Sequence, residues 1–194
     1  DEECKQCHED IFRSWEQSMH RHSSFTNPAY RFSVEETRKV VTERDGGPEI
    51  SRFCAGCHDT VPLLSGRFEQ ADFDPDTDPS AMAGLTCPSC HAITAVNSTT
   101  GNSDFTITDP ARYPFARSNS ELLKAINHQL IKAKPAFHKN TLMKPVHRTA
   151  EFCSGCHKAN LPYEVNHYKW LRAQNHYDSF LQSGVSGHRV DSFY

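Results

Sequence analysis

The chain has 194 residues and a formal charge of −3, but only 37% of its residues are hydrophobic and its mean hydropathy is −0.67. That balance excludes a membrane span, because no apolar run approaches the roughly 20 residues that a bilayer core requires. It also argues against nucleic acid as a partner, because no cluster of lysines and arginines interleaved with aromatics tracks a phosphate backbone. The apolar content is thin for an aliphatic core, so a large bound group is expected to supply mass at the centre.

Taken in order, the chain opens on the acidic Asp1-Glu2-Glu3 without a basic, apolar leader, which reads as the mature form of an exported protein. Cys4-Lys5-Gln6-Cys7-His8 follows at once. Asp10 is placed to cap a helix whose apolar stripe, Ile11, Phe12, Trp15 and Met19, runs to about Arg21. His20 continues the row of Phe12 and Glu16, and His22 lies nearer the Trp15 row, so helical geometry leaves both open as metal ligands. A second helix is predicted from Ser33 to Arg44, stopped by Gly46-Gly47-Pro48. Cys54-Ala55-Gly56-Cys57-His58 comes next, and then a loop rich in proline, glycine and aspartate. Within it Asp72, Asp74, Asp76 and Asp78 alternate as in a calcium loop. The turn glycine and closing glutamate are missing, so a solvated acidic turn is expected.

Cys87-Pro88-Ser89-Cys90-His91 precedes two short β-prone runs, 93–96 and 105–108, around Thr100-Gly101-Asn102, and one hairpin is predicted there. Ser118-Asn119-Ser120-Glu121 has capping-box spacing and opens a helix with Leu122, Leu123, Ile126 and Leu130 inward, ending before Pro135. His128 falls off that stripe and is expected to face solvent. His138 and His147 sit in a proline-punctuated segment, where a loop histidine can be turned toward a bound group. After Cys153-Ser154-Gly155-Cys156-His157, a final helical stretch from about Pro162 carries Tyr168, Trp170, Leu171, Tyr177, Phe180 and Leu181 and gives out at Gly184.

All eight cysteines fall into four C-x-x-C-H motifs, and none is left over. The spacing suits covalent haem: two thiols reach the two vinyl groups of one porphyrin while the next side chain turns beneath the iron. Zinc knuckles do not require a histidine after every cysteine pair, and a disulfide framework would not place one in the same slot four times. Four haem c groups are therefore expected, held by Cys4 and Cys7, Cys54 and Cys57, Cys87 and Cys90, and Cys153 and Cys156. His8, His58, His91 and His157 are then the proximal iron ligands.

Eight further histidines outnumber the three methionines, Met19, Met82 and Met143, so bis-histidine ligation and comparatively low potentials are expected. Thioether formation belongs to an exported compartment, periplasmic or extracellular. The haem propionates would make the holoprotein more acidic than the sequence charge, with many basic residues offsetting them. The motifs begin at Cys4, Cys54, Cys87 and Cys153, too unevenly for a tandem repeat. One domain over 1–194 is expected, mainly α with few short strands, in a multihaem cytochrome c fold wrapped around a stack of four covalent haems.

Further residues carry a likeness over nearly the whole chain. They are Trp15, Ser18 and His20; Gly101-Asn102 leading to Tyr113-Pro114-Phe115; Pro145, His147, Glu151 and Phe152; and Tyr168-Lys169-Trp170-Leu171-Arg172 through Gln174-Asn175-His176-Tyr177-Asp178-Ser179-Phe180 to Ser186-Gly187-His188. With the motifs, they resemble the multihaem c-type cytochromes that include the tetrahaem electron carriers of nitrifying bacteria. The resemblance implies that His20, rather than His22, is a distal ligand, and it adds His138, His147, His176 and His188, five candidates for four places. Relatives with the last run continue into further haem motifs, whereas this chain stops at Tyr194. Small tetrahaem cytochromes of similar size also build extracellular conducting filaments.

The function expected is electron transfer between redox partner proteins, as a soluble carrier or as a subunit of a homopolymer, with no catalytic residues. The alternatives are a haem oxidoreductase with one open iron, which His22, His128 or Arg148 could flank, and the electron-entry domain of a larger oxidoreductase. No haem motif has lysine in place of histidine, as such an enzyme could show.

Overall fold

The computed structural model describes residues 1–187, so His188 lies outside the described residues. Helix α1 (Glu2–Lys5) leads through the first motif into α2 (Glu9–Glu16). α2 stops before the expected Arg21 because Ser18 turns the chain: its hydroxyl and its N–H donate to the Trp15 carbonyl at 2.7 and 2.8 Å. His20 and His22 therefore lie in a turn, where helical rows do not apply. That turn is fixed from outside. Leu85 N–H donates to the His20 carbonyl at 2.9 Å, and Gly84, at φ +63°, packs so closely that a Cβ would meet the Arg21 carbonyl oxygen at 2.1 Å.

α3 (Pro28–Asp45) begins five residues before the expected Ser33. Asn27 accepts from the N–H groups of Ala29 and Tyr30 at 3.1 and 3.2 Å, and Pro28 suits the first helical position. The helix ends on Gly46 in the left-handed region, φ +88°. A 3₁₀ turn, Glu49–Ser51, feeds α4 (Arg52–His58), and α5 (Thr60–Leu64) follows. Phe25, Tyr30, Val34, Ala55, Phe68, Phe73 and Ala81 form the core cluster in this part of the chain.

The acidic loop is tied down rather than free. Arg31 grips Asp76 through two bonds of 2.8 and 2.9 Å, and Arg67 reaches Asp78 at 2.8 Å and Asp72 at 3.4 Å. Asp74 accepts from Asp76 N–H and Thr77 Oγ1, and Asp78 caps the 3₁₀ turn Pro79–Met82. Arginines and backbone donors thus take the oxygens that a calcium ion would need. Among the described residues, no group of three or more histidines, cysteines or acids is arranged to hold a metal ion.

α6 (Cys87–His91) leads into the expected hairpin of β1 (Ile93–Val96) and β2 (Phe105–Ile107), with Ile93 opposite Ile107 and Val96 opposite Phe105. α7 (Glu121–Ala133) and α8 (Pro135–Leu142) follow, broken at Lys134 by Pro135. Neither helix buries a residue. After a 3₁₀ turn, Pro145–Arg148, come α9 (Ala150–His157), β3 (Lys158–Leu161), α10 (Tyr163–Asn166), β4 (Leu171–Asn175) and α11 (His176–Leu181).

The continuous helix expected from Pro162 is therefore two short helices with a strand between them. The Asn166 side chain accepts from the N–H groups of Tyr168 and Lys169, and His167 turns the chain at φ +50°. β4 then pairs antiparallel with β3, Leu171 opposite Leu161 and Lys158 opposite Asn175. The architecture is mainly α with two small antiparallel sheets, and among the described residues no helix is long and apolar enough to cross a membrane.

Candidate functional site

In each C-x-x-C-H motif the two cysteines are three residues apart, which brings both sulfurs to one side of a helical turn, with the histidine following on the same side. α4, α6 and α9 each end on the motif histidine, and α1 supplies the first turn of the first motif. The eight cysteines are free thiols. They meet across motifs. Cys57 Sγ lies 3.8 Å from the Gly155 carbonyl oxygen, and the neighbouring Cys57 and Cys156 thiols shift one another, Cys57 down and Cys156 up. Burial, and then the neighbouring Cys4, raises the Cys87 thiol, while burial and then Cys153 raise Cys90. Direct contacts join the motifs: Cys87 N–H donates to Asp1, beside the first, at 2.8 Å, Thr60, just after the second, donates to Ser89 of the third at 2.7 Å, and the contact of Cys57 with the Gly155 carbonyl oxygen joins the second to the fourth.

Two proximal candidates are oriented through Nδ1. In His58 this nitrogen lies 2.7 Å from the Ser23 carbonyl oxygen, and in His91 it lies 2.8 Å from that of Leu142. An Nδ1–H donated to a carbonyl leaves the Nε2 lone pair for a metal. Burial lowers the His58 pKa, which also favours the neutral, ligating form.

The distal candidates gather at three of the four motifs. Two imidazoles on opposite faces of one iron have centroids about 6 Å apart, given a metal–nitrogen bond of about 2 Å on each side plus the depth of each ring. His8 and His138 are 6.2 Å apart and nearly parallel, at 12°. His157 has His20 at 6.0 Å and His176 at 5.9 Å, tilted by 67° and 52°. Burial first, and then the charges of these neighbours, lowers the pKa of His138 and of His157. His147 stands edge-on to His91 at 5.3 Å, with both nitrogens engaged: Nδ1 accepts from Lys144 N–H at 3.0 Å, and Nε2 lies 2.9 Å from the Ile93 carbonyl oxygen.

At the second motif the ring stacked on the histidine is a tyrosine. Tyr30 lies 4.2 Å from His58 at 12°, and its hydroxyl donates to the buried Asp59. Burial pushes Asp59 up to about 7, against the Tyr30 hydroxyl and the Arg38 charge, which lower it. Its other oxygen, Oδ1, is buried without a hydrogen-bond partner among the described residues.

Sequence reasoning missed Tyr30 because it lies in the part of α3 that precedes the predicted start, although its spacing to Val34 and Val41 marks the inward row. It also sent His128 to solvent, whereas the ring is half-buried with Nε2 3.6 Å from the Cys7 sulfur. His22 is exposed.

The residues fit covalent haem: free thiols in the attachment spacing, imidazoles an iron's width apart, and large apolar side chains left exposed beside them, Met19, Leu122, Ile126, Phe137 and Met143. The family model for cytochrome c554 and c-prime matches residues 3–92, a span that takes in the first three motifs. The fold matches the penta-haem cytochrome c552 from Thermochromatium tepidum, with a TM-score of 0.59 and 21% identity, over 96% of this chain and 51% of that one. The chain thus spans about half the length of that protein. No curated protein matches it. The two likenesses support a multihaem c-type cytochrome.

Proposed function

We propose that the chain is a single-domain electron-transfer protein carrying four haem c groups, one at each C-x-x-C-H motif, and that it exchanges electrons with redox partner proteins in the periplasm or outside the cell. The observation that carries this is the set of contacts that joins the four motifs, first to third, third to second and second to fourth, with histidine pairs about an iron's width apart among them. Haem supplies a one-electron iron couple. The chain's own residues hold the group, choose its ligands and keep water from it.

In this reading the cysteines fix each group covalently, and Ser23 and Leu142 hold His58 and His91 in the tautomer that ligates through Nε2. His138 serves the first motif, and His20 or His176 serves the fourth. His147 is the candidate for the third and must exchange its bonds to Lys144 and Ile93 for ligation. His188 is the remaining candidate. Bis-histidine ligation places the potentials in the lower range for c-type haems.

A second reading is favoured by one observation. Among the described residues His8, His91 and His157 each have a ring contact with a candidate distal histidine and His58 has none, which would suit a second haem with an open position and therefore an oxidoreductase. Low-temperature EPR of the purified protein, with the haem count from its intact mass, separates the two. Four low-spin haems mean a carrier, and a high-spin signal from one in four means an open site. A mass showing fewer than four haems refutes both. His138→Ala should convert one low-spin haem to altered ligation, and an unchanged spectrum removes His138. Electron microscopy of the native protein tells a homopolymeric filament from a dispersed carrier.

A further inference from the structure

The turn at the tip of the β1–β2 hairpin takes no part in the chemistry above, yet it holds the one run of three consecutive positive-φ residues among the described residues. Gly101, Asn102 and Ser103 lie consecutively in the left-handed region, at φ +88°, +58° and +61°. Non-glycine residues hold that conformation only where their surroundings over-determine it. Here they do. Asn102 N–H donates to the Lys158 carbonyl at 3.1 Å, and the Asn102 amide both donates to Asn160 Oδ1 at 2.9 Å and accepts from Asn160 N–H at 2.8 Å. Ser103 N–H donates to the Gly155 carbonyl at 2.8 Å, while its hydroxyl lies 3.0 Å from the Cys57 sulfur. At Gly101 an added Cβ would fall 1.8 Å from the Lys158 carbonyl oxygen.

The turn therefore touches two motifs at once, at a point where the Cys57 sulfur itself lies 3.8 Å from the Gly155 carbonyl oxygen. The motifs themselves record that contact. The second variable position is glycine in the second motif, Gly56, and in the fourth, Gly155, but Gln6 in the first and Ser89 in the third. A Cβ on Gly56 would meet Ser103 Oγ at 2.4 Å, and one on Gly155 would meet the Phe105 ring at 2.8 Å. Gln6, in the same slot, is exposed. The hairpin is also rooted beside the third motif, since Thr108 N–H donates to the Ala92 carbonyl at 2.9 Å.

We infer that residues 101–105 are a spacer that sets the relative position of the groups held by the second and fourth motifs, with Ser103 as its positioning residue, Gly56 cut away to receive Ser103 and Gly155 to receive Phe105. This rests on the haem assignment proposed above. Gly56→Ala drives the wedge outward, and Ser103→Gly removes its side chain while relieving the backbone. Gln6→Ala changes the matching slot of a motif that the turn does not touch. The readouts are haem count by intact mass and the Soret circular-dichroism couplet, which reports the mutual orientation of neighbouring haems.

The expected result is four haems in every protein, with a loss or shift of couplet amplitude in Gly56→Ala and Ser103→Gly and none in Gln6→Ala. Four haems with an unaltered couplet in both turn variants overturns the spacer and leaves the haem assignment standing. A wild-type mass short of four haems overturns the assignment itself. If Gly56→Ala fails to mature, Ser103→Gly, which introduces no clash, decides.

Discussion

Two regions of the molecule use apolar residues in opposite ways. Around α3 and α4 the chain makes its own core: Val34 and Phe68 are fully buried, Arg38 lies over the Phe68 and Phe73 rings, and Asn27 and Gly46 close the helix at both ends. Around α7 and α8 the chain buries nothing, and Leu122 and Phe137 are 70% and 42% exposed although they stand on predicted or actual apolar faces. Yet this second region carries His128 and His138, the side chains that reach the first motif. One region is stabilised by protein packing, and the other presents exposed apolar side chains that, in the proposed reading, the bound group covers.

The largest test of this contrast replaces all eight cysteines by alanine, so that no haem is attached. Amide exchange should then lose protection over 121–142 and keep it over 28–45. Equal protection of both segments would end the contrast. Next in size, Phe68→Ala should cost about 3–5 kcal/mol in chemical unfolding, with or without haem, as for other buried aromatic truncations. Ile126→Ala should divide the two states, costing about 2 kcal/mol or more in the haem-loaded protein but within about 0.5 kcal/mol in the haem-free chain, as at an ordinary surface site.

A smaller effect is expected from Asn27→Ala, about 1 kcal/mol, because Gly46 still closes the other end of α3. The smallest concerns pH. The Ser80 hydroxyl and Arg67 hold Asp78 at about 2, below an ordinary aspartate. The unfolded chain then binds the proton first, so this contribution is complete above about pH 4 and fades as pH falls toward 2. Exchange at the Pro79–Met82 turn should rise over that window in the native protein, and Asp78→Asn should abolish the step.

The motifs were legible because their chemistry is local: two thiols and an imidazole within five residues need no tertiary information. The hairpin at 93–107 was legible for the same reason, its turn residues lying between two β-prone runs. The start of α3 was missed although Asn27-Pro28 is a strong local signal, because the apolar row was sought later in the chain. β4 was not legible at all, since Leu171–Asn175 becomes a strand only by pairing with Lys158–Leu161. The distal candidates fall between these cases. Their residue type is readable, but His20 and His176 converge on His157 through turns and sheet pairing that no helical row encodes.

The spatial order of the motifs also has a consequence for biogenesis. Synthesis delivers them as first, second, third and fourth, whereas contact joins first to third, third to second and second to fourth. A nascent chain ending near residue 92 already holds three motifs and the residues that join them, but the fourth lies some sixty residues further on. Every link in the line closes a long loop, so assembly is governed by distant contacts and should be slow to complete. The first three motifs can meet before the fourth is made, and the link to the fourth closes last.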